Sequence, residues 1–187
     1  DLITRVARSI DHGKGIQYQG QRIDFTKTWD RLTLDQAFEK FASESMETPL
    51  KSGHFDEIIA CYIAPNQGST KPDFLYDYPA ALGSLARLKP GPRSMAERFE
   101  LYIAGIEICN AFSELTDPDE QRKRFEVEMQ MRQASHKITY PFPEPFLKAL
   151  DEMPESAGNA LGMDRLFMLF ADMAEIDGVV AFVPEVC

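Results

Sequence analysis

The chain has 187 residues, a formal net charge of −10 and 44% hydrophobic residues, which describes a globular protein large enough to bury a core. A chain this acidic repels polyanions on average, which disfavours direct nucleic-acid binding and favours a cationic substrate. The three cysteines are scattered and odd in number, which favours a reducing, cytoplasmic location over a disulfide framework. No apolar run approaches the roughly 20 residues of a membrane span, so no membrane association is expected.

The first third of the chain is predicted to be helical with a polar interruption. Leu2, Val6 and Ile10 recur at helical spacing, and a chain that starts inside an amphipathic helix is expected to be part of a longer protein. Residues 12–32 are polar and contain glycine, which indicates a loop or short strands. Thr33 and Gln36 have the spacing of a capping box, and the helix that they begin should extend to Ser45.

That helix should bury Leu34, Ala37, Phe38 and Phe41. A second helix is predicted over residues 54–66 and ends near Pro65. The apolar sequence DFLYDYP, residues 73–79, is typical of a buried strand that Pro79 terminates.

The most strand-like segment is FELYIAGIEICNAFSEL, residues 99–115. Its residues nearly alternate between apolar and polar, and Ala104-Gly105 predicts a tight hairpin turn. Asp117 and Pro118 are suited to the N-cap and the first position of a long helix, which is expected to reach about Ser135.

A short helix carrying Phe146, Leu147 and Leu150 is predicted next. The sequence AGNALGMDRLFMLF, residues 157–170, leads from small residues into another helix, and GVVAFV, residues 178–183, predicts a final strand. Strands embedded among helices without regular βα alternation predict an α+β fold, an antiparallel β-sheet flanked by helices in one domain over residues 1–187.

Glu100, Glu107, Asn110 and Glu114 all fall on the predicted hairpin. Asn110 and Glu114 have the parity of one strand face, and a bulge after Glu107 would bring Glu107 to the same side. Carboxylates are costly to bury unpaired among apolar residues, so either some of them point to solvent or they form a cluster. A cluster of this kind would bind an ammonium group or a divalent cation, with Mg²⁺ favoured by oxygen-only ligands.

Arg165 lies in the first turn of the helix that follows the small residues. A cation is disfavoured there by the helix dipole, whereas a phosphate would be attracted by both the helix N-terminus and the guanidinium group. The alternative is an ion pair between Arg165 and Asp164 or a hairpin glutamate. The spacing of the residues does not separate the two interpretations.

Two motifs together resemble the end of the catalytic domain of class II lysyl-tRNA synthetases. GIEICNAFSEL is similar to the strand with the Glu-x-x-Asn-x-Phe-x-Glu pattern, and GNALGMDRL is similar to motif 3 of the class. LYDYPAALGSLAR and MAERFELY resemble the segments that precede them. The resemblance is good over residues 72–187, while residues 1–71 match only in length and helical character.

The resemblance implies a role for each candidate residue. Glu100 and Glu107 are expected to hold Mg²⁺ and ATP, Asn110 to contact the amino acid, and Glu114 to bind its side-chain ammonium. Arg165 is expected to bind the γ-phosphate of ATP. Arg165 and Glu107 would together be the catalytic residues. Gly158 and Gly162 would allow the backbone to approach the ligands, Gly162 at the nucleotide and Gly158 in the substrate pocket with Ala160.

Within the family the sequence is most similar to the PoxA/GenX-type branch, which attaches a lysine derivative to a lysine of elongation factor P. Ala160 stands where ordinary lysyl-tRNA synthetases usually have glycine, which implies a pocket reshaped toward β-lysine. The expected activity is therefore ATP-dependent activation of lysine or β-lysine and its transfer to elongation factor P, by a ligase whose complete form is a homodimer.

A fragment of an ordinary lysyl-tRNA synthetase is the alternative, although tRNA is the less favoured acceptor, and a non-catalytic paralogue that serves as a binding module is a third. Motifs 1 and 2 of the class are not recognisable in the sequence. The chain by itself is therefore expected to be inactive in lysine activation.

Overall fold

A computed structural model describes residues 1–10, 12–91 and 95–183. The helices and strands follow one another along the chain without regular alternation. They are α1 (Leu2–Ser9), β1 (Gly15–Tyr18), β2 (Gln21–Asp24), β3 (Asp30–Thr33), α2 (Leu34–Ala37), α3 (Glu47–Ser52), α4 (Phe55–Ile58), β4 (Asp73–Pro79), β5 (Met95–Ile103), β6 (Ile106–Ser113), α5 (Pro118–Ala134), α6 (Glu144–Leu150), β7 (Ala157–Leu161) and α7 (Met163–Phe170).

The α+β fold class is confirmed. Five strands form one sheet in the order β3-β4-β5-β6-β7, and β1 and β2 form a separate antiparallel pair. Antiparallel pairing dominates, but β3 and β4 are parallel, with Asp30 opposite Asp73 and Thr33 opposite Tyr76. The sequence did not predict this parallel pair because the two strands are joined by the helical segment between them rather than by a local turn.

The chain divides into two compact units, and the boundaries cut through four strands of the sheet. The first unit comprises Asp1–Asp77, Phe99–Asn110 and Asn159–Cys187, and the second comprises Tyr78–Arg98 and Ala111–Gly158. Each of the strands β4, β5, β6 and β7 therefore contributes residues to both units.

The hydrophobic core of the first unit joins α1, the β1–β2 hairpin, β5, β6 and α7. Its buried members include Ile3, Ala7, Ile23, Ile108 and Leu169. Helix α1 is present as predicted, but the expected face is wrong: Leu2 and Ile10 are 60% and 46% exposed, whereas Ile3 and Ala7 are buried. Both stripes have helical spacing, and the small side chain of Ala7 lets the helix pack closely on the core.

The predicted helices at residues 33–45 and 54–66 are both irregular. The capping box is confirmed, because Thr33 Oγ1 accepts from the Gln36 N–H at 3.2 Å and Gln36 Oε1 accepts from the Thr33 N–H at 2.9 Å. Leu34, Ala37 and Phe38 are buried and Phe41 is half-buried. Beyond α2 the chain continues as a π-helix over Phe38–Ala42, and α4 continues as a π-helix over Ile59–Ile63 and a 3₁₀ turn over Ala64–Asn66.

The hairpin turn at Ala104-Gly105 is confirmed. Both residues have positive φ, 53° and 77°, as a type I′ turn requires. Their amides donate to the carbonyls of Gly68 and Gln67 at 2.8 Å each. Gly68 has a φ of +67° and a Cβ there would lie 2.6 Å from the Tyr102 carbonyl oxygen, so only glycine fits at this close approach.

In the second unit, α5 begins as its sequence predicts. The Asp117 side chain accepts from the amides of Asp119 and Glu120 at 2.9 and 3.1 Å, which satisfies donors that the first turn leaves free. Phe125 of α5 contacts the rings of Phe142 and Phe146, so that α6 packs on the helix.

One expectation is wrong in the C-terminal region. Residues 178–183 form no strand: a 3₁₀ turn covers Ile176–Gly178, and Phe182 is 93% exposed. An apolar run forms a strand only where a neighbouring strand can pair with it. The three consecutive basic residues of α5 differ in exposure: Lys123 is exposed, whereas the side chain of Arg124 is only 16% exposed. Among the described residues, no helix is both long and apolar enough to cross a membrane.

Candidate active site

Four of the predicted site residues are linked by contacts in the first unit. Glu100 is 6% exposed, and its carboxylate accepts a hydrogen bond from the Tyr102 hydroxyl at 2.8 Å and one from Asn110 Nδ2 at 3.4 Å. Arg165 Nη1 donates to the backbone carbonyl of Glu107 at 2.9 Å and lies 3.4 Å from its carboxylate. Two pairs of predicted site residues are therefore in contact: Glu100 with Asn110, and Glu107 with Arg165.

The start of α7 places Arg165 beside β6. Gly162 is the N-cap and has no side chain to cap the helix, and its own amide donates to the Ile108 carbonyl at 2.9 Å. This bond fixes the end of β7 against β6, and Arg165 lies in the first turn that follows. A Cβ at Gly162 would meet Arg165 Cδ at 3.4 Å, an ordinary contact, so this glycine is not required by space within the protein.

Arg165 forms the ion pair that was expected with a hairpin glutamate, and its partner is Glu107. The guanidinium group keeps binding capacity nevertheless. Its side chain is 47% exposed, and only Nη1 bonds to any residue that the structure describes. The remaining N–H groups of the fork can receive a phosphate oxygen, so the ion pair and an anion site are compatible at this residue.

Cys109 is a buried thiol of β6. Burial raises the pKa of Cys109, and the negative charges of Glu107 and Glu100 raise it further, while hydrogen bonds with the Leu101 backbone and with Asn159 lower it. The described residues contain no group of three or more His, Cys, Asp or Glu side chains that could hold a metal, which leaves the pair Glu100 and Glu107 as the candidate.

A pair of carboxylates fits Mg²⁺, which is commonly held by one or two carboxylates together with substrate phosphates rather than by a complete protein cage. Glu100 and Glu107 are the residues that would hold it, with Arg165 beside Glu107 for the phosphates. When bound, the ion would neutralise phosphate charge. Asn110 bonds to Glu100 through its amide nitrogen, and Ala160 is exposed on β7.

In the second unit the structure brings Glu114 and Gly158 into contact. Glu114 follows the end of β6 and pairs with Ala86 in an antiparallel bridge, and its amide donates to the Ser156 carbonyl at 2.9 Å. A Cβ on Gly158 would collide with Glu114 Oε1. The absence of a side chain at position 158 therefore makes room for the Glu114 carboxylate. The expected approach of the backbone to a ligand at Gly158 stays a prediction.

The Glu114 carboxylate is half-buried and has no hydrogen-bond or ion-pair partner among the residues that the structure describes. Its neighbour in the unit, Glu97, shows the ordinary arrangement: it accepts from Arg87 Nε at 3.1 Å and from Arg87 Nη2 at 2.9 Å. A half-buried carboxylate without a counter-charge is costly to the protein alone and suited to a cationic ligand.

Sequence reasoning missed two residues that support these carboxylates. Tyr102 donates to Glu100 and is two residues away on β5, so strand parity would have placed it on the same face. Arg124 bonds to the carbonyls of Ser84 and Ala86. No local pattern in the sequence signals that contact, since the segments are far apart along the chain.

These features define a protein of the class II synthetase type, with a carboxylate-bearing hairpin and a small-residue strand that leads into an Arg-bearing helix. The profile of tRNA synthetases class II (D, K and N) matches residues 1–185, and the chain belongs to this family. The match includes the first 71 residues, which resemble the family by eye only in length and helical character.

Among the curated relatives, a lysine–tRNA ligase of Moorella thermoacetica is 34% identical over 97% of this chain and 41% of its own length. The lysine–tRNA ligases of Prochlorococcus marinus (strain MIT 9515) and Clostridium perfringens are 34% and 32% identical, over 40% and 41% of their lengths. The chain spans about two fifths of the length of these relatives.

Proposed function

We propose that the protein containing this chain activates lysine or β-lysine with ATP as an acyl-adenylate and transfers it to a lysine of elongation factor P. In this reaction the substrate carboxylate attacks the α-phosphorus of ATP, the bond to the β-phosphate oxygen breaks, and pyrophosphate leaves. The ε-amine of the acceptor lysine then attacks the acyl carbon and AMP leaves. The protein would act in the cytoplasm as a homodimer.

The observation that carries the proposal is the carboxylate of Glu114, which is half-buried and has no partner in the described parts of the chain. An ammonium group of the substrate would supply the missing counter-charge and up to three hydrogen-bond donors. A site that is built to bond such a group rejects analogues that lack it by large factors, because the protein group would be left buried and unpaired. Glu114 therefore suits selection of lysine-like substrates over apolar amino acids of similar size.

The first unit supplies the groups suited to the nucleotide. Arg165 stabilises negative charge on the terminal phosphates, and Glu107 holds its guanidinium group at the start of α7. Glu100 and Glu107 would hold Mg²⁺, and Asn110 would contact the amino acid. The contribution of these residues is positioning and charge stabilisation.

Transfer to elongation factor P is supported by the sequence features YPA, LARL and AERFELY and by Ala160. Ala160 is exposed on β7, so its methyl group is available to narrow a ligand pocket. The net charge of −10 also disfavours a polyanionic acceptor more than a protein acceptor.

Charging of tRNA is the second candidate, and it is favoured by the names of the curated relatives, which are lysine–tRNA ligases. A non-catalytic paralogue is the third. The identity of the acceptor distinguishes the first two candidates from each other. Activation of the amino acid with ATP distinguishes both of them from the third.

The test uses the full-length gene product that contains this chain. Pyrophosphate exchange is measured with L-lysine and with β-lysine, and acyl transfer is measured in parallel to elongation factor P and to lysine tRNA. We expect exchange and transfer to the protein. Transfer to tRNA alone would establish the second candidate, and no exchange with either amino acid would establish the third.

The isolated chain of residues 1–187 provides a further check. It is expected to bind ATP weakly and to show no efficient lysine-dependent exchange, because the class places an Arg that holds the α-phosphate in motif 2. Robust exchange by the isolated chain would contradict this expectation.

A further inference from the structure

Two arginines on the same helix of the second unit have different environments. Arg122 forms a two-bond ion pair with Glu144 on the surface, with Nη1 and Nη2 at 2.8 and 2.6 Å from the carboxylate oxygens. Arg124 is directed into the protein. Its Nη1 donates to the backbone carbonyls of Ser84 and Ala86 at 2.8 and 2.9 Å, and its Nε donates to Glu120 at 2.9 Å.

The carbonyls that Arg124 binds belong to an unfavourable turn. Ser84 has a φ of 49°, a left-handed conformation that is unfavourable for a residue other than glycine. A charged donor that bonds to the carbonyls on both sides of Leu85 offsets this cost and fixes the turn. Arg124 Nη2 is buried and has no hydrogen-bond partner among the described residues, so the group is held in place by the bonds of Nη1 and Nε.

The turn that Arg124 fixes is paired with the strand end that carries Glu114. The Arg87 amide donates to the Ser113 carbonyl and the Leu115 amide donates to the Leu85 carbonyl, each at 2.8 Å. These two bonds lie on either side of Glu114, which faces Ala86 in the bridge. Arg124 therefore bonds to the turn, and the turn bonds to the two residues that flank Glu114.

We infer that Arg124 is a positioning residue for Glu114: it fixes the turn at residues 84–86 and so sets where the unpaired carboxylate meets the substrate ammonium. The inference rests on the proposed function of Glu114. Arg124 itself touches no substrate in this scheme. Its effect is on the recognition of the ammonium group and leaves the nucleotide groups of the first unit unchanged.

The test compares Arg124→Met with Arg122→Met in the full-length gene product. Both variants remove a guanidinium group from α5, but only the first removes the bonds to the turn. For Arg124→Met we expect the KM for L-lysine in pyrophosphate exchange to rise about tenfold with the KM for ATP nearly unchanged. The preference for L-lysine over norleucine, which has no ε-ammonium group, should fall by a similar factor. Arg122→Met should match the unaltered protein in all three quantities.

Hydrogen exchange of the amides of Arg87 and Leu115 provides a readout that does not need turnover. Both should exchange faster in Arg124→Met and keep their rates in Arg122→Met. If Arg124→Met does not fold, Arg124→Lys replaces it, since a lysine keeps the charge but loses the planar fork that reaches two carbonyls and Glu120. The expected pattern for Arg124→Lys is the same with smaller changes.

Glu114→Gln separates failure of the inference from failure of the proposed function. If Glu114→Gln raises the KM for lysine and Arg124→Met does not, the positioning role is overturned and the proposed function stands. An equal rise in the KM values for lysine and ATP in Arg124→Met also overturns the positioning role, because it indicates a general structural defect. If Glu114→Gln leaves the KM for lysine unchanged, the role of Glu114 fails, and the inference fails with it.

Discussion

The carboxylates proposed to bind ligands have opposite environments in the two units. In the first unit Glu100 and Glu107 are engaged by neighbours of the same unit, through Tyr102, Asn110 and Arg165. In the second unit Glu114 has no partner among the described residues, and a glycine makes room for it. A carboxylate that is already paired can bind a ligand that joins the existing contacts. A carboxylate without a counter-charge is suited to a ligand that carries a positive charge.

The largest effect should come from removing the uncompensated charge. Glu114→Gln is expected to lower kcat/KM for lysine activation by on the order of 100-fold, as loss of one partner of a desolvated charge pair does. Because the carboxylate has no partner among the residues that the structure describes, the variant should be at least as stable as the original. Pyrophosphate exchange and thermal unfolding of the full-length protein measure the two quantities.

Glu155→Gln is the matched control for this variant. Glu155 belongs to the same unit, and its side chain is 85% exposed, so exchange activity should not change. Equal losses in both variants, or a marked loss of stability in Glu114→Gln, would remove the contrast between the units.

The next largest effect concerns the first unit, in which the carboxylates are paired. Arg165→Ala is expected to raise the KM for ATP roughly 10- to 100-fold through loss of charged hydrogen bonds to phosphate, with a much smaller change in the KM for lysine. Arg22→Ala, which removes an exposed arginine of the first unit, is the control. Unchanged ATP kinetics in Arg165→Ala would refute the assignment of this residue.

A smaller effect should follow from filling the space beside Glu114. In Gly158→Ala the new methyl group displaces the end of a flexible side chain, so stability should change little. The displaced carboxylate should raise the KM for lysine by about tenfold, since misplacement on the ångström scale is enough to reduce binding of this kind. Ala157→Ser, at an exposed position of the same strand, should leave the KM for lysine as it is.

The smallest effect tests the compensated carboxylate of the second unit. Hydrogen bonds from Ser113 and from Arg87 hold the pKa of Glu97 below its ordinary value. Such a group stabilises the fold above the pKa of the unfolded chain, near 4.3, and this contribution is lost as the pH falls through the lower pKa of the folded protein.

Denaturant titrations from about pH 6 to about pH 3 should therefore show the free energy of unfolding decreasing more steeply in the original protein than in Glu97→Gln. The difference should be about 0.5 kcal/mol because the ion pair is partly exposed. Parallel pH profiles for the two proteins would show that the pairing of Glu97 contributes nothing.

Local signals in the sequence were sufficient for much of the fold. The capping box at Thr33, the N-cap at Asp117 and the turn at Ala104-Gly105 each depend on neighbours within a few residues, and all are confirmed. The strand at residues 178–183 and the exposed face of α1 depended on distant partners. A local pattern does not contain these partners, which is why both predictions were wrong.

The candidate site divides along the same line. The resemblance placed the residues of the hairpin and of α7, and the structure shows which of them are in contact. The burial of Arg124 and the fit of Glu114 against Gly158 are long-range facts of packing. Neither follows from a local pattern in the sequence. Arg122 and Arg124, for example, are only two positions apart on α5, yet their environments are opposite.

The space left at Gly158 also has an evolutionary consequence. A side chain at position 158 would displace the Glu114 carboxylate, so the two positions are constrained as a pair wherever the carboxylate binds the substrate. In related proteins that bind a different side chain and carry a shorter residue in place of Glu114, position 158 should be free to acquire a side chain. Substrate preference would then change through two coordinated substitutions rather than one.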